Sequence, residues 1–297
     1  MAKLILSLDG GGIRGAATAE FLKNLEGMLH GSLHDNFDMF VGTSTGGILA
    51  TCIGLLKMGG IQITQIYSYE NANEIMNKSF WDKRLGLAQG QPKYDGKGKR
   101  NVLEKYFRDV YLNDAIKPTL VVTYDVEKRK SAVLKSEGKE KIFAVDAVDA
   151  TSAAPLYFPT VEINNRWLID GGVIANNPTI CAFAEARNKW PKEKIKILSV
   201  GTGIINRKID GKESQDYGAL GWITHDLLGI VMDESVVNHQ AKAILGDNYL
   251  RVNSKLDYVK DDMDDCSQGN INNLKKLGNE WFYTFGKQAV NLIRNNS

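Results

Sequence analysis

Short apolar runs of strand length alternate along this chain with longer segments in which apolar residues recur at helical spacing. The first run covers residues 4–8, and apolar residues at positions 17, 21, 25 and 29 then predict a helix. Further strands are predicted at 37–41, 119–124, 131–134, 161–163, 167–169, 195–200 and 249–252, and mostly helical segments at 46–57, 64–77, 101–112, 144–154, 220–245 and 270–294. This alternation predicts an α/β fold. No repeat, low-complexity tract or linker divides the chain, so we expect residues 1–297 to form one domain.

Three of the predicted strands end in glycine-containing turns that also carry polar side chains. The first turn is Asp9-Gly10-Gly11-Gly12-Ile13-Arg14-Gly15, and the second is Gly42-Thr43-Ser44-Thr45-Gly46-Gly47. The third, Asp170-Gly171-Gly172, follows a hairpin with a predicted tight turn at Asn164-Asn165, because asparagine tolerates a positive φ. Open α/β sheets bind ligands at the carboxyl ends of their strands, so these turns are the candidate functional positions.

Ser44 has the sequence context of a nucleophile. A short strand that turns sharply into a helix through glycines leaves the intervening hydroxyl at the apex, where no Cβ atom crowds a substrate. The G-x-S-x-G pattern at residues 42–46 predicts such an elbow. Glycine and serine also pack and cap ordinary strand-to-helix turns, so this pattern alone leaves both interpretations open.

The first turn gathers several backbone N–H groups at a predicted helix N-terminus, which favours negative charge. In a hydrolase this turn would form an oxyanion hole. The same letters match the dinucleotide fingerprint G-x-G-x-x-G through Gly10, Gly12 and Gly15, so a nucleotide-binding signalling module is an alternative. A nucleotide site would place an acid at the end of the second strand, where this chain has Gly42 and Ser44. This difference favours acyl transfer over hydride transfer.

A serine nucleophile needs a base within hydrogen-bonding reach, and the sequence offers either a histidine or a carboxylate. The order Ser44, Asp170 and then His225 or His239 matches the chain order of an α/β-hydrolase triad. Neither histidine, however, lies in a glycine-containing loop after a predicted strand, whereas Asp170 does. A Ser-His-Asp triad esterase is therefore an alternative to direct action of a carboxylate.

The composition narrows the partners and the compartment that we expect. The 297 residues are 43% hydrophobic, and 37 basic against 35 acidic residues give a net charge of +2, which does not favour nucleic acid. Three widely spaced cysteines form neither a disulfide framework nor a metal cluster, so we expect reduced thiols in a cytoplasmic protein. No apolar run reaches the about 20 residues that a membrane-spanning helix needs. We therefore expect at most peripheral contact with membranes.

A basic segment interrupts the periodic pattern at residues 78–100. It contains seven lysines or arginines against two aspartates, with aromatic residues interleaved and no helical or strand period. We interpret it as a lid loop that contacts an anionic lipid surface. A solvated loop with its aromatic side chains tucked underneath explains the composition equally well.

Taken together, the three turns resemble in order and spacing those of the patatin-like phospholipase family, whose catalytic domain is similar to that of cytosolic phospholipase A. Similar stretches at 94–98, 152–159, 176–178 and 249–253 extend the resemblance from residue 4 to about residue 277. The resemblance implies a three-layer α/β/α sandwich with a mostly parallel central sheet.

The resemblance also implies a mechanism with a Ser-Asp dyad in place of a triad. Ser44 would be the nucleophile and Asp170 the general base, and the reaction would cleave fatty-acyl esters of glycerophospholipids through an acyl-enzyme intermediate. No cofactor or metal is implied. The oxyanion would be held by backbone N–H groups of the first turn with an arginine beside them: Gly10, Gly11, Gly12 and Arg14.

Overall fold

The strand predicted at residues 4–8 lies inside the central sheet. In the computed structural model, which describes residues 2–76 and 90–294, this strand extends from Lys3 to Leu8 and is buried from Leu4 onwards. Burial on both faces explains its continuous apolar run. The described residues form eight strands: β1 (Lys3–Leu8), β2 (Met39–Thr43), β3 (Thr119–Asp125), β4 (Lys130–Lys135), β5 (Val161–Ile163), β6 (Arg166–Asp170), β7 (Ile195–Val200) and β8 (Tyr249–Val252).

These strands form one mixed sheet in the order β5-β6-β3-β2-β1-β7-β8, and β4 pairs with β3. The strands from β3 through β2, β1 and β7 to β8 are parallel, whereas β4 and β6 are antiparallel to β3. The prediction of a mostly parallel sheet is confirmed. The predicted hairpin is also present as β5 and β6, and its turn residues Asn164 and Asn165 have φ angles of 50° and 59°.

Helices cover both faces of the sheet. Leu4 and Leu6 of β1 belong to a large hydrophobic core on one face, and Ile5 belongs to a separate core on the other. Since successive strand residues point to opposite faces, this alternation makes the fold a three-layer α/β/α sandwich. The described residues contain the helices α1 (Gly15–Glu26), α2 (Leu33–Asn36), α3 (Thr45–Gly54), α4 (Gly60–Gln65), α5 (Tyr69–Ile75), α6 (Lys97–Phe107), α7 (Ala144–Thr151), α8 (Gly172–Ala175), α9 (Thr179–Lys189), α10 (Ala219–Thr224), α11 (Leu227–Val231), α12 (Ser235–Leu245) and α13 (Gln268–Arg294).

Two long predicted helical segments are divided by capping side chains. The segment at 64–77 is split between α4 and α5, and Ser68 Oγ accepts a hydrogen bond from Asn71 N–H at the start of α5. The segment at 220–245 is split into α10, α11 and α12, where Asp226 caps α11 in the left-handed region with a φ of 68°. These local side-chain hydrogen bonds compete with continuation of the helix. The hydrophobic pattern does not reveal them, so it could not predict where the segments divide.

The predicted basic loop at 78–100 lies partly outside the described residues, which resume at position 90. Within the described part, the prediction of a loop is wrong for its end, because α6 already begins at Lys97. A local hydrogen bond favours this early start, because the Asp95 carboxylate, one residue before the N-cap Gly96, accepts from Lys97 N–H at 2.9 Å.

Candidate active site

Ser44 lies between β2 and α3, at the carboxyl edge of the sheet. Its φ of 54° and ψ of −127° form a combination that residues other than glycine rarely adopt. The neighbouring glycines are required, because an added Cβ atom on Gly42 would overlap the Gly46 carbonyl and one on Gly46 would overlap the Leu8 carbonyl. The turn therefore has the backbone geometry of a nucleophile elbow.

Thr151, the last residue of α7, holds this elbow in place. Its Oγ1 accepts a hydrogen bond from Ser44 N–H at 3.0 Å and donates one to the Val122 carbonyl at 2.5 Å. The hydroxyl thus connects the elbow, α7 and β3 in a fully buried position. Sequence reasoning missed this residue, since a threonine at the end of a small-residue helix carries no signal of such a contact.

The pairing of β3 explains how Asp170 reaches Ser44. The first half of β3 pairs with β2, with Thr43 opposite Val122, and the second half pairs with β6, with Asp170 opposite Thr123. Because β4 occupies the other side of β3, β2 and β6 lie on the same side. Their carboxyl ends therefore meet at neighbouring positions, which brings the second and third glycine turns together.

Asp170 is buried, with 2% of its surface exposed, and its Oδ1 accepts a hydrogen bond from Gly172 N–H at 2.7 Å. Burial raises the pKa of Asp170 from 3.8 to about 6, although hydrogen bonding with the Ser44 side chain and the charge of Lys99 favour the ionised form. Within the described residues, Oδ2 has no partner at ordinary hydrogen-bond geometry. This buried oxygen is therefore free to accept a hydrogen bond or a proton.

The first glycine turn lies beside the elbow. An added Cβ atom on Gly10 would lie 3.1 Å from the Ser44 Cβ atom. The N–H of Gly10 already donates to the Asn176 carbonyl at 3.1 Å, whereas those of Gly11 and Gly12 have no acceptor in the described part of the chain. The structure thus places Gly10 against Ser44 and Gly12 in the wall of the cavity that Ser44 lines, and the N–H groups of Gly11 and Gly12 are unengaged within the described residues.

Arg14 stabilises the same turn from the side. Its Nε donates to the Gly11 carbonyl at 3.2 Å, and only 4% of the residue is exposed. Nη1 has no hydrogen-bond partner among the described residues. Burial lowers the pKa of Arg14, and the carboxylates of Asp226 and Asp261 partly oppose this effect.

Asp9 anchors the beginning of the first turn to β8. Arg251 Nη1 donates to Asp9 Oδ1 at 2.9 Å, Nη2 pairs with Oδ2, and Nη2 also lies 3.1 Å from Glu234 Oε2. Burial raises the pKa of Asp9 to about 6 in spite of the Arg251 charge. The sequence did not reveal this role, because the two partners are 242 positions apart.

An apolar cavity of about 90 Å³ opens beside Ser44 and Asp170. A cavity with such a lining accommodates a hydrocarbon chain better than a polar ligand. This apolar character does not favour the alternative of a nucleotide site at the first turn. Most of its walls are aliphatic or aromatic side chains, including Ile13, Ile48, Ile66, Val102, Leu103 and Phe158.

Lys99 is an unexpected charged residue in the wall of this cavity. Its Nζ lies 2.9 Å from Asp149 Oδ1 and 4.4 Å from the centroid of the Phe158 ring. Its charge also favours ionised Asp170. The sequence assigned Lys99 to a solvent-facing basic loop, and helix α6 instead turns this side chain inward.

All four histidines belong to the described residues, and none of them lines the cavity. His225 is exposed and stacks on Tyr217 with ring centroids 4.1 Å apart, and His239 is exposed on α12. His34 is buried but hydrogen-bonds the Ile53 carbonyl. The structure therefore brings Asp170, and no histidine, into the cavity that contains Ser44.

Together these features define an α/β/α protein with a strained serine and a buried carboxylate side by side at the carboxyl edge of its sheet. The model of the patatin-like phospholipase family matches residues 6–183, a stretch that includes both side chains. The chain belongs to the patatin-like phospholipase family. This membership supports lipid acyl hydrolase activity.

Relatives are similar over most of the chain. A cGAMP-activated phospholipase of Pseudomonas aeruginosa is 30% identical over 291 residues, which cover 93% of this chain and 86% of the relative. Patatin-like protein 1 of Arabidopsis thaliana is 28% identical over 334 aligned positions, covering 92% of this chain and 80% of the relative. The crystal structure of VipD from Legionella pneumophila aligns with a TM-score of 0.48 and 12% identity, over 94% of this chain and 67% of VipD.

Two further features concern membranes and metals. None of the helices in the described ranges combines the length and the apolar character that crossing a bilayer requires. Nor do the described residues bring together three or more histidine, cysteine, aspartate or glutamate side chains as metal ligands.

Proposed function

We propose that this chain is a phospholipase A type acyl hydrolase in which Ser44 is the nucleophile and Asp170 is the general base. The observation that supports the proposal most strongly is the meeting of β2 and β6 on the same side of β3, which puts the two residues at neighbouring positions. A hydroxyl on a strained turn beside a buried carboxylate meets the requirements of a two-residue acyl-transfer site.

In the proposed acylation step, Asp170 accepts the proton of the Ser44 hydroxyl while Oγ attacks the carbonyl carbon of the ester. The tetrahedral intermediate then collapses, the bond to the alcohol oxygen breaks, and the alcohol leaves with the proton from Asp170. The acyl group remains on Ser44 as an ester. A base with a pKa of about 6 is ionised at neutral pH yet close enough to it for efficient proton transfer in both directions.

Deacylation repeats these steps with water. Asp170 accepts a proton from a water molecule, whose oxygen attacks the acyl carbonyl carbon. Collapse of the second tetrahedral intermediate breaks the bond to Ser44 Oγ, which recovers its proton from Asp170. A free fatty acid is released, and both residues return to their starting states.

We assign the stabilisation of the oxyanion to the N–H groups of Gly11 and Gly12. The N–H of Gly10 is a weaker candidate than the sequence predicted, because it already donates to Asn176. Each well-placed donor of this kind contributes about 3 kcal/mol to lowering the barrier. Arg14 supports the assignment by fixing the Gly11 carbonyl.

The apolar lining of the cavity supports an acyl chain as the substrate group that enters the protein. Ser44 and Asp170 line one part of this cavity, and Ile66, Val102 and Leu103 line other parts of it. Each methylene group moved from water into such a space contributes about 0.8 kcal/mol. The proposal therefore favours fatty-acyl esters over short esters.

The proposal is tested by fatty-acid release from phospholipid vesicles, measured by mass spectrometry. Ser44→Ala and Asp170→Asn should each lower the rate by at least about a thousandfold, because the two residues act as one unit. Ser131→Ala and Asp247→Asn remove the same groups from exposed positions and should retain the wild-type rate. A wild-type rate in either active-site variant would refute the dyad.

The triad alternative is tested in the same assay. Replacement of both His225 and His239 by alanine should leave most of the activity, since both side chains are exposed and lie away from the cavity. A loss comparable with that of Ser44→Ala would instead favour a histidine base. Each measurement is made with and without cGAMP, because one relative is named for activation by that nucleotide.

A further inference from the structure

A second cavity, of about 480 Å³, lies against the apolar one. Tyr157, Met232 and Met263 line both cavities. The first glycine turn contributes Gly12 to the apolar cavity and Arg14 to the second, so the turn separates the two spaces. An ester whose acyl chain fills the apolar cavity would therefore extend its alcohol portion towards the second cavity.

Carboxylates outnumber cationic side chains in the wall of the second cavity. Its cationic side chains among the described residues are Arg14 and Arg207. The acidic residues of the wall are Asp9, Asp226, Asp233, Glu234, Asp261 and Asp262. The cavity therefore has a negative potential that attracts cationic groups.

Asp233 and Asp262 are the carboxylates of this wall that form no direct ion pair among the described residues, and we refer to these two residues as the acidic rim. Both are exposed, and neither has an ion-pair partner within 4.0 Å in the described part of the chain. The other carboxylates of the wall are near Arg207 or Arg251. A cation that enters the cavity would therefore meet the acidic rim without displacing an existing ion pair.

Arg14 is an independent sign of a polar ligand in the same cavity. Only 4% of the residue is exposed, and its Nη1 has no hydrogen-bond partner among the described residues. A buried guanidinium group without a close counter-charge is unfavourable, so an anionic ligand group next to it would lower its free energy. The cavity thus offers one unpaired positive group and an unpaired negative rim, which is the pattern that a zwitterion requires.

The chemistry of the acidic residues favours an organic cation over a metal ion. Within the described ranges, no three potential ligand side chains are close enough to hold a metal. Dispersed carboxylates suit an ammonium group, which is attracted by charge without needing a fixed coordination geometry.

We propose that the second cavity selects phospholipids whose head group carries a cationic amine, with the ammonium group at the acidic rim. This inference rests on the proposed function, because it concerns the alcohol portion of the same ester. Head groups without an amine, such as that of phosphatidylglycerol, would gain nothing from the rim. Their negative charge would instead be repelled by it.

The test compares phosphatidylethanolamine with phosphatidylglycerol of identical acyl chains, each as a minor component of non-ionic detergent micelles at low ionic strength. The uncharged micelle keeps surface attraction out of the comparison. For wild type, kcat/KM should be about tenfold higher with the ethanolamine lipid, because each exposed charge interaction contributes a factor of a few. High salt should reduce this ratio.

The decisive variant is Asp233→Asn with Asp262→Asn. In this variant the ratio of kcat/KM for the ethanolamine lipid to kcat/KM for the glycerol lipid should fall to about three or less. Asparagine retains the hydrogen bond that Asp233 Oδ1 accepts from Ser235 N–H at the start of α12, so this helix should stay intact, as circular dichroism would verify. The matched control, Asp109→Asn with Asp247→Asn, changes net charge equally at exposed positions outside the cavity and should keep the wild-type ratio.

The outcomes separate this inference from the proposed function. Hydrolysis of both lipids with a wild-type ratio near one, or an unchanged ratio in the acidic-rim variant, would overturn the head-group selection and leave the acyl hydrolase in place. Absence of hydrolysis of either lipid by the wild-type chain, with and without cGAMP, would overturn both. An equal reduction in the control variant would show that net charge, and not the cavity, sets the ratio.

Discussion

Ser44 and Asp170 are each held in a state that is unfavourable on its own. The φ of 54° at Ser44 is a strained conformation that costs about 1–3 kcal/mol, and the carboxylate of Asp170 is removed from water. Unfavourable states of this kind persist only where the surroundings impose them. Here the surroundings are two glycines and Thr151 at the elbow, and Gly172 N–H at the carboxylate.

The raised pKa of Asp170 predicts the pH dependence of activity. A general base must be ionised, so kcat/KM for an uncharged p-nitrophenyl ester should fall about tenfold per pH unit below pH 6 and level off above it. An unperturbed aspartate would give a flat profile down to about pH 4. Stopped assays between pH 4.5 and 8.5 would distinguish the two profiles.

Stability provides an independent check on the same group. Because the pKa of Asp170 is raised on folding, its protonated form stabilises the fold fully below pH 3.8, and this stabilisation is lost as the pH rises through about 6. Asp170→Asn, which mimics the protonated form, should therefore raise Tm relative to wild type more at pH 8 than at pH 4.5. An equal difference in Tm at the two pH values would contradict the raised pKa.

At the scale of single elements, the elbow depends on α7 through Thr151. Thr151→Val keeps the shape but leaves Ser44 N–H and the Val122 carbonyl without their buried partner, which should cost about 1–3 kcal/mol of unfolding free energy and lower kcat at least tenfold. Thr151→Ser retains the hydroxyl and should lose far less activity. Urea unfolding and steady-state kinetics on both variants test this, and equal kcat values in the two would exclude a role for the hydroxyl.

The sequence predicted which strand ends carry the site residues better than it predicted how those strand ends come together. Apolar runs that end in glycine turns are local patterns, and they correctly marked the strand ends before Gly10, Ser44 and Asp170. The division of β3 between β2 and β6 is a long-range register, and hydrophobic periodicity carries no information about it. For the same reason the sequence could not identify Thr151 or the inward position of Lys99.

For the basic segment at 78–100 we predict electrostatic attraction to anionic membranes. Of its cations in the described part, Lys93, Lys99 and Arg100 pair with acidic residues of the chain and contribute little to lipid binding. Lys97 is exposed and has no ion-pair partner in the described part, so any electrostatic attraction should come from Lys97 and from positions 78–84. The test variant replaces the three cations of positions 78–84 by alanine: Lys78, Lys83 and Arg84. Because each such charge contributes about 1 kcal/mol of attraction to an anionic surface, the variant should bind anionic vesicles at low salt about tenfold or more weakly in a sedimentation assay.

The control for this experiment removes the same charge from other parts of the surface. It replaces three exposed lysines by alanine: Lys139, Lys192 and Lys208. This variant should bind vesicles as the wild type does, and neither variant should bind neutral vesicles differently. Equal weakening in the two variants would mean that net charge, and not the basic segment, governs attachment.

At the scale of the whole molecule, the site is positioned in part by residues that follow the third glycine turn in the sequence. The family match ends at residue 183, yet β7 and β8 complete the sheet and α13 packs along α1, the helix that follows the first turn. Trp281 and Leu274 of α13 are buried in the same core as Leu22 of α1. The last third of the chain is therefore part of the structure that positions the site.

Arg251 allows this dependence to be measured, because it links β8 to Asp9 at the start of the first turn. Arg251→Met removes the cation from a buried pair and leaves Asp9 uncompensated, so we expect a loss of about 3–5 kcal/mol in unfolding free energy together with reduced kcat. The double variant Asp9→Asn with Arg251→Met removes the charge of Asp9 and leaves only Glu234 without its cation, so part of the stability should return. A urea-unfolding double-mutant cycle measures the coupling between the two residues. If the two losses simply add, the ion pair does not hold the turn, and the contribution of β8 to the site lies in sheet packing alone.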